Sequence, residues 1–144
     1  MKKVLLIMVC LLTLLCGCHT KEQNNVNQTE SKTVTFLNGV TDADVWLLPD
    51  TPANRKTTVW GKATLPQVKT GESRALGLCD PGDDGRYLLR MIDTDGFYYA
   101  ANGVALAAGW TVQVKEDDAH AATATVTDET GAVKDTYEVF SARL

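Results

Sequence analysis

Arg86-Tyr87-Leu88-Leu89-Arg90-Met91-Ile92-Asp93, then Thr94-Asp95-Gly96, then Phe97-Tyr98-Tyr99, is the stretch that decides the fold. A run of large apolar residues stops at an Asp-Gly turn and starts again. Asp accepts hydrogen bonds from the backbone just beyond it, and glycine takes the positive φ that a tight reversal demands. Two β-type runs joined this way read as a hairpin. The same habit extends in both directions. Upstream, Thr33-Val34-Thr35-Phe36-Leu37 alternates and closes at Asn38-Gly39, and the run 43–48 closes at Pro49. Residues 50–62 form a long polar connection that carries Trp60-Gly61. Lys69-Thr70-Gly71-Glu72 turns into a strand over 73–79, and Asp80-Pro81-Gly82-Asp83-Asp84-Gly85 is a further turn. Downstream, a short strand is expected at 104–106 and an alternating one at 110–115. The runs 122–127 and 133–140 flank Asp128-Glu129-Thr130-Gly131 as a last hairpin. No apolar i, i+3, i+4, i+7 pattern persists through a helical window. The expectation is an all-β domain over residues 33–144: an antiparallel β-sandwich, immunoglobulin-like or of similar architecture, with roughly seven to nine short strands.

The beginning of the chain reads differently. Met1-Lys2-Lys3 is positive, and Val4 to Leu15 is apolar apart from Thr13. That is the length of a signal peptide and too short to cross a bilayer as a helix. It ends at Leu15-Cys16-Gly17-Cys18, which resembles the bacterial lipobox. The resemblance implies cleavage before Cys18 and a diacylglyceryl thioether on its sulfur. The protein is then expected at a cell membrane or outer membrane, lipid-anchored and facing the extracytoplasmic side. Residues 1–17 are the signal peptide and 18–32 the lipidated cysteine with its tether. That tether holds one aliphatic residue and no aromatic, so it has no apolar surface to bury.

Eighteen acidic against 14 basic residues give a net charge of −4, and loss of Lys2 and Lys3 makes the mature chain more acidic. Such a chain offers phosphate no basic surface, which excludes nucleic acid as a partner. Membrane attachment therefore rests on the lipid at Cys18. The 4 cysteines do not form a disulfide set. Cys10 and Cys16 leave with the signal, Cys18 takes the lipid, and Cys79 stands alone, without a partner for a bridge or a thiolate metal site.

Several marks recur in order: Val34-x-Phe36-x-Asn38, Val45-Trp46, Trp60-Gly61, Thr70-Gly71-Glu72-Ser73, Tyr87-x-x-Arg90-x-x-Asp93-x-Asp95-Gly96 and Trp110-Thr111-Val112. On these marks the stretch 34–114 resembles a set of small bacterial secreted domains and lipoproteins with β-sandwich folds. The resemblance brings no catalytic residue with it. It does not reach the segment from about Glu116 onward.

The chemistry-bearing residues each have a plain alternative. Nucleophilic catalysis needs a side chain such as Cys79 or Ser73 within reach of a base, and the base available is His120, in a polar hinge. Glycoside hydrolysis needs opposed carboxylates, whereas Asp93 and Asp95 read as turn formers. Asp80, Asp83 and Asp84 are the calcium candidates, since acidic turns supply hard oxygen ligands. They are also ordinary turn chemistry. Trp46 and Trp110 lie in alternating strands and are expected in the core. Trp60, Tyr98 and Tyr99 are the candidate ligand-binding residues. Adjacent tyrosines on a strand point to opposite faces, so one of the pair meets solvent. The expected function is a lipid-anchored extracytoplasmic binding or accessory module, not an enzyme and without cofactor, whose partner is an envelope protein or glycan. The terminal hairpin is the expected open edge for a partner strand. The alternatives are a small calcium-dependent or hydrolytic extracellular domain and a structural envelope lipoprotein.

Overall fold

The computed structural model describes residues 32–144, within the compact unit Ser31–Leu144. The signal segment, Cys18 and the rest of the tether lie outside the described residues. Along the chain come β1 (Thr33–Gly39), β2 (Ala43–Pro49), a short helix α1 (Pro52–Lys56), β3 (Leu65–Val68) and β4 (Ser73–Gly77). Then follow β5 (Tyr87–Asp93), β6 (Phe97–Val104), β7 (Thr111–Glu116), β8 (Ala122–Thr127) and β9 (Val133–Arg143). They pair as one nine-stranded sheet in the order β3-β2-β5-β6-β9-β8-β7-β1-β4. The sheet curls nearly into a barrel around a single core.

Two features depart from the sequence expectation. The strands belong to one continuous sheet, because β9 is long enough to serve both halves. Its stretch from Val133 to Val139 pairs with β8, and Phe140 to Arg143 pair with β6. The sheet is also mixed, not antiparallel, since β1 runs parallel to β7 from Thr35↔Thr111 to Gly39↔Lys115. The cause is a crossover. After β1 the chain leaves for the other half of the sheet, and β7 later enters beside β1 in the same direction. Asn38, fully buried, pins that crossover. Its Nδ2 donates to Thr41 O at 3.0 Å and Val68 O at 2.9 Å, and its Oδ1 accepts from Val40 N at 3.1 Å.

The predicted hairpins form where the turn residues stand. Asp93 Oδ1 accepts from the N–H groups of Asp95 (3.0 Å) and Phe97 (2.8 Å), and Gly96 takes φ +82°, so β5 folds back onto β6. The separate short strand expected at 104–106 does not form: Val104 is the last residue of β6, and Ala105 and Leu106 lie beyond it outside any strand. Two elements went unread. The helix α1 is too short for any apolar periodicity; Thr51 caps it, and Pro52 presets its first turn. The strand β3 contains Pro66, which argues against an interior strand but is compatible with its place at the sheet edge.

Alternate residues fill the core: Val34 and Phe36, Val45 and Leu47, Leu89 and Met91, Tyr99 and Ala101, Val112 and Val114, Ala124 and Val126. Each large side chain of this set contributes roughly 1.5–3 kcal/mol by leaving water. β5 is buried on both faces. Leu88 and Arg90 alternate with the core residues of β5, lie outside this core cluster, and are nevertheless 0% and 4% exposed.

Candidate functional site

The outer face of β2, β5, β6 and β9 is where the connection and the sheet meet. Register places Trp46, Arg90, Ala100 and Phe140 in one row across four strands, with Asp44, Ile92, Tyr98 and Ala142 in the next. Trp60 descends from the connection into this array. Its ring lies 5.5 Å from Trp46, tilted by 60°, and 5.5 Å from Tyr98, nearly parallel at 10°. Tyr98 in turn meets Phe140 edge-on at 6.3 Å. The result is a stripe of four aromatic rings that runs across the strands. Trp46, expected in the core, is thus an outer-face residue. Trp110 is half-buried and packs against the core.

Both indole N–H groups of the stripe are already used. Trp60 Nε1 donates to Thr57 O at 3.0 Å, and Trp46 Nε1 donates to Gly61 O at 3.1 Å. The Trp46 bond fastens the connection to the sheet, and the Trp60 bond closes a turn within the connection. Below it Arg90 spreads its guanidinium over Leu89 O and Ala101 O, each at 3.0 Å, and Asn102 Oδ1 at 2.8 Å. Burial pushes the Arg90 pKa down, while Tyr98 and Asp50 favour the charge. Asp50 anchors the near end of the connection. Its carboxylate holds Arg55 through both oxygens and accepts from Gly103 N at 2.8 Å. The Arg55 guanidinium holds that carboxyl below the usual range.

Beside the stripe lies a groove of about 340 Å³ with Trp60, Ile92 and Tyr98 as its floor, and Lys56, Thr58 and Leu144 on its walls. Leu144 on its wall is 76% exposed, and Phe140, edge-on to Tyr98, is 61% exposed; Val59, which precedes Trp60 in the chain, is 80% exposed. A second groove of about 250 Å³ beside Asp42, Asp44 and Lys69 is lined mainly by polar groups that already bond each other.

The other predicted site residues are dispersed. Tyr98 faces out as half of the adjacent pair must, and Tyr99 is the core member, 2% exposed. Its hydroxyl donates toward Asp93 Oδ2 at 3.1 Å and lies 3.4 Å from Glu116 Oε2. Burial and these two carboxylates push its pKa well above the ordinary phenol value. Tyr99 is therefore not a surface ligand. Asp83 and Asp84 border the groove beside Arg55, whereas Asp80 lines a different one with Cys79 and Tyr87. Gly82 sets this loop tightly against Asp50: a Cβ there would stand 2.0 Å from Asp50 O. No three side chains among His, Cys, Asp and Glu converge on a metal-sized site among the described residues. His120 is exposed at the β7–β8 turn, with Nδ1 3.0 Å from Glu116 Oε1; neither Cys79 nor Ser73 is among its partners among the described residues. Cys79 is exposed just past β4, and partial burial of its thiol pushes the pKa up, away from the thiolate a nucleophile needs.

Sequence reasoning missed Phe140, Leu144 and Arg90 as members of the site. Phe140 alternates like any strand residue, and only its neighbour across β6 reveals that it continues a stripe. Comparison of the chain with protein-family models, with curated proteins and with solved structures returns no match.

Proposed function

We propose that this protein is a lipid-anchored extracytoplasmic binding module, related to the small bacterial secreted β-domains, that docks a protein on the outer face of β2, β5, β6 and β9. The observation that carries this reading is the exposure of two large apolar side chains at the groove, Leu144 on its wall and Phe140 against Tyr98 of its floor. Exposed apolar side chains beside a concave aromatic floor are the usual make-up of a protein-docking site. The anchor is the lipid on Cys18. An immunoglobulin-like division of the sheet into two facing leaves, hinged where β9 changes partner, is part of the same proposal.

A glycan is the second reading, favoured by the aromatic stripe. Sugars stack on open ring faces, and here Trp60 has Tyr98 parallel to one face and Trp46 tilted beside it. That packing favours the protein partner.

The test passes solubilised envelope over the immobilised chain and over its Phe140→Ser variant. A protein retained by the first and lost by the second is expected. Equal retention removes the patch from consideration. Polysaccharide retained by the chain and lost on Tyr98→Ala transfers the site to the glycan. The anchor has its own test: Cys18→Ser is expected to abolish the mass added by lipid, and an unchanged mass difference in that variant contradicts lipidation.

A further inference from the structure

We propose that Asn102 is a site of spontaneous conversion to aspartate, which supplies the buried guanidinium of Arg90 with the carboxylate it lacks. Arg90 is 4% exposed and has no ion pair among the described residues. Its partners Leu89 O, Ala101 O and Asn102 Oδ1 are neutral carbonyl oxygens. A cation taken out of water is costly until an opposite charge meets it. The nearby carboxylate of Asp50 is engaged by Arg55 and by Gly103 N. Asn102 Oδ1 already stands 2.8 Å from Arg90 Nη2, so a carboxylate in its place pairs with the guanidinium without rearrangement. This chemistry does not depend on what the groove binds.

The backbone at Asn102 suits the reaction. Gly103 follows, and a glycine, with no Cβ, least hinders attack of its own nitrogen on the asparagine side chain. Tyr87 pairs with Val104 but Leu89 with Ala101, so β6 bulges at Asn102-Gly103, where Gly103 takes φ +66°. Gly103 N–H donates to Asp50 Oδ2 at 2.8 Å, and Arg90 polarises the side-chain carbonyl that the nitrogen attacks. The Gly103 nitrogen bonds to Asn102 Cγ, the Cγ–Nδ2 bond breaks, and ammonia leaves with the proton from Gly103. Water then adds to Cγ of the cyclic imide, the bond from Cγ to the Gly103 nitrogen breaks, and that nitrogen regains a proton. The product is an α-linked aspartate. Opening at the other imide carbonyl gives isoaspartate, with an extra methylene in the main chain, and the pairing of β6 with β5 on both sides of the bulge opposes it. Asn38-Gly39 has the same sequence and the opposite setting. Asn38 is 0% exposed, its Nδ2 is held by two carbonyls, and Gly39 packs tightly against Val114 O.

The experiment incubates the full chain in detergent micelles at neutral pH, folded and in denaturant, and maps its peptides by mass with aspartate and isoaspartate separated. Folded chain is expected to convert at Asn102 and not at Asn38, with aspartate in excess. In denaturant both asparagines are expected to convert, with isoaspartate in excess. Asn102 that persists in the folded chain while denatured chain loses it overturns the proposal, and so does an isoaspartate excess at position 102 of the folded chain. The Asn102→Asp variant is expected to melt about 4 °C higher at neutral pH. It is expected to lose that advantage below about pH 4, as the new carboxylate protonates. Asp50, Tyr98 and Arg55 face the same guanidinium in both chains, so the difference reports position 102. A variant that melts no higher than the parent overturns the pairing with Arg90.

Discussion

Tyr99 shows how one residue divides its work between packing and charge. Its ring fills the core and its hydroxyl lies between Asp93 and Glu116. In the unfolded chain a phenol releases its proton near pH ~10. In the folded core, burial and the two carboxylates hold the proton to higher pH. Above that point the folded state binds more protons than the unfolded one, so stability falls as pH rises; it is fully present below. Tyr99→Phe is expected to remove much of this alkaline loss. At neutral pH it leaves the Asp93 oxygen without its partner, at about 1–2 kcal/mol. Denaturant melts at neutral and alkaline pH measure both effects, and an unchanged alkaline limb in the variant would refute the assignment. The neighbouring Tyr98 follows from the same sequence rule, alternation along a strand, and performs the opposite task on the outer face. That the two tyrosines part company was legible in the sequence. Which one is buried was not, because the rule gives no absolute face: Tyr99 points inward only because β6 pairs Tyr99 with Met91 and Ser141 around this core.

At the scale of elements, the last hairpin is the clearest case of context overriding position in the chain. β8 and β9 come at the end of the sequence and were expected to offer an open edge. They lie in the interior of the sheet order, between β6 and β7. The edges are β3 and β4, which Arg74 bridges from Nη1 to Pro66 O at 2.7 Å and Nη2 to Gln67 O at 3.3 Å. A chain that ends at residue 116 therefore loses the centre of its sheet and the buried side chains Ala122, Ala124, Val126 and Val139. Such a truncation is expected to lose cooperative unfolding by circular dichroism, and a sharp melt from it would contradict this strand order. Strand existence was readable in most of these elements, since alternation and Asp-Gly or Thr-Gly turns are local. Strand order is a long-range property: β9 reaches β6 across the whole of β7 and β8, and no local pattern encodes that closure.

For the whole molecule, carboxylates held by ion pairs and hydrogen bonds set its acid behaviour; the Asp42 partners come from a distant segment, the main partners of the others from within five residues. Lys69 and Thr70 hold the Asp42 carboxyl below its usual range, Arg55 does so for Asp50, Arg74 for Glu72, and Thr130 for Asp128. A carboxylate whose folded pKa is lowered contributes stability above its unfolded pKa, near pH ~4, and loses it as pH falls through the folded value. The melting temperature is thus expected to hold level from about pH 4 to about pH 10 and to drop on both sides. Asp50→Asn is expected to lower it at neutral pH and to flatten the acid limb; a variant with the full acid limb would show that Asp50 carries none of it. Among the described residues Cys79 is a free thiol, and no disulfide supports this core. The amino-acid sequence by itself determined the all-β class, the hairpin turns and the outward face of one tyrosine, because each depends on backbone preferences and period-two alternation within a few residues. Only the tertiary structure decided that the strands close into one mixed sheet, that Trp46, Trp60, Tyr98 and Phe140 form one stripe, and that a groove opens beside it. Those outcomes depend on which distant strands pair, and pairing is chosen by the shared core rather than by any single segment.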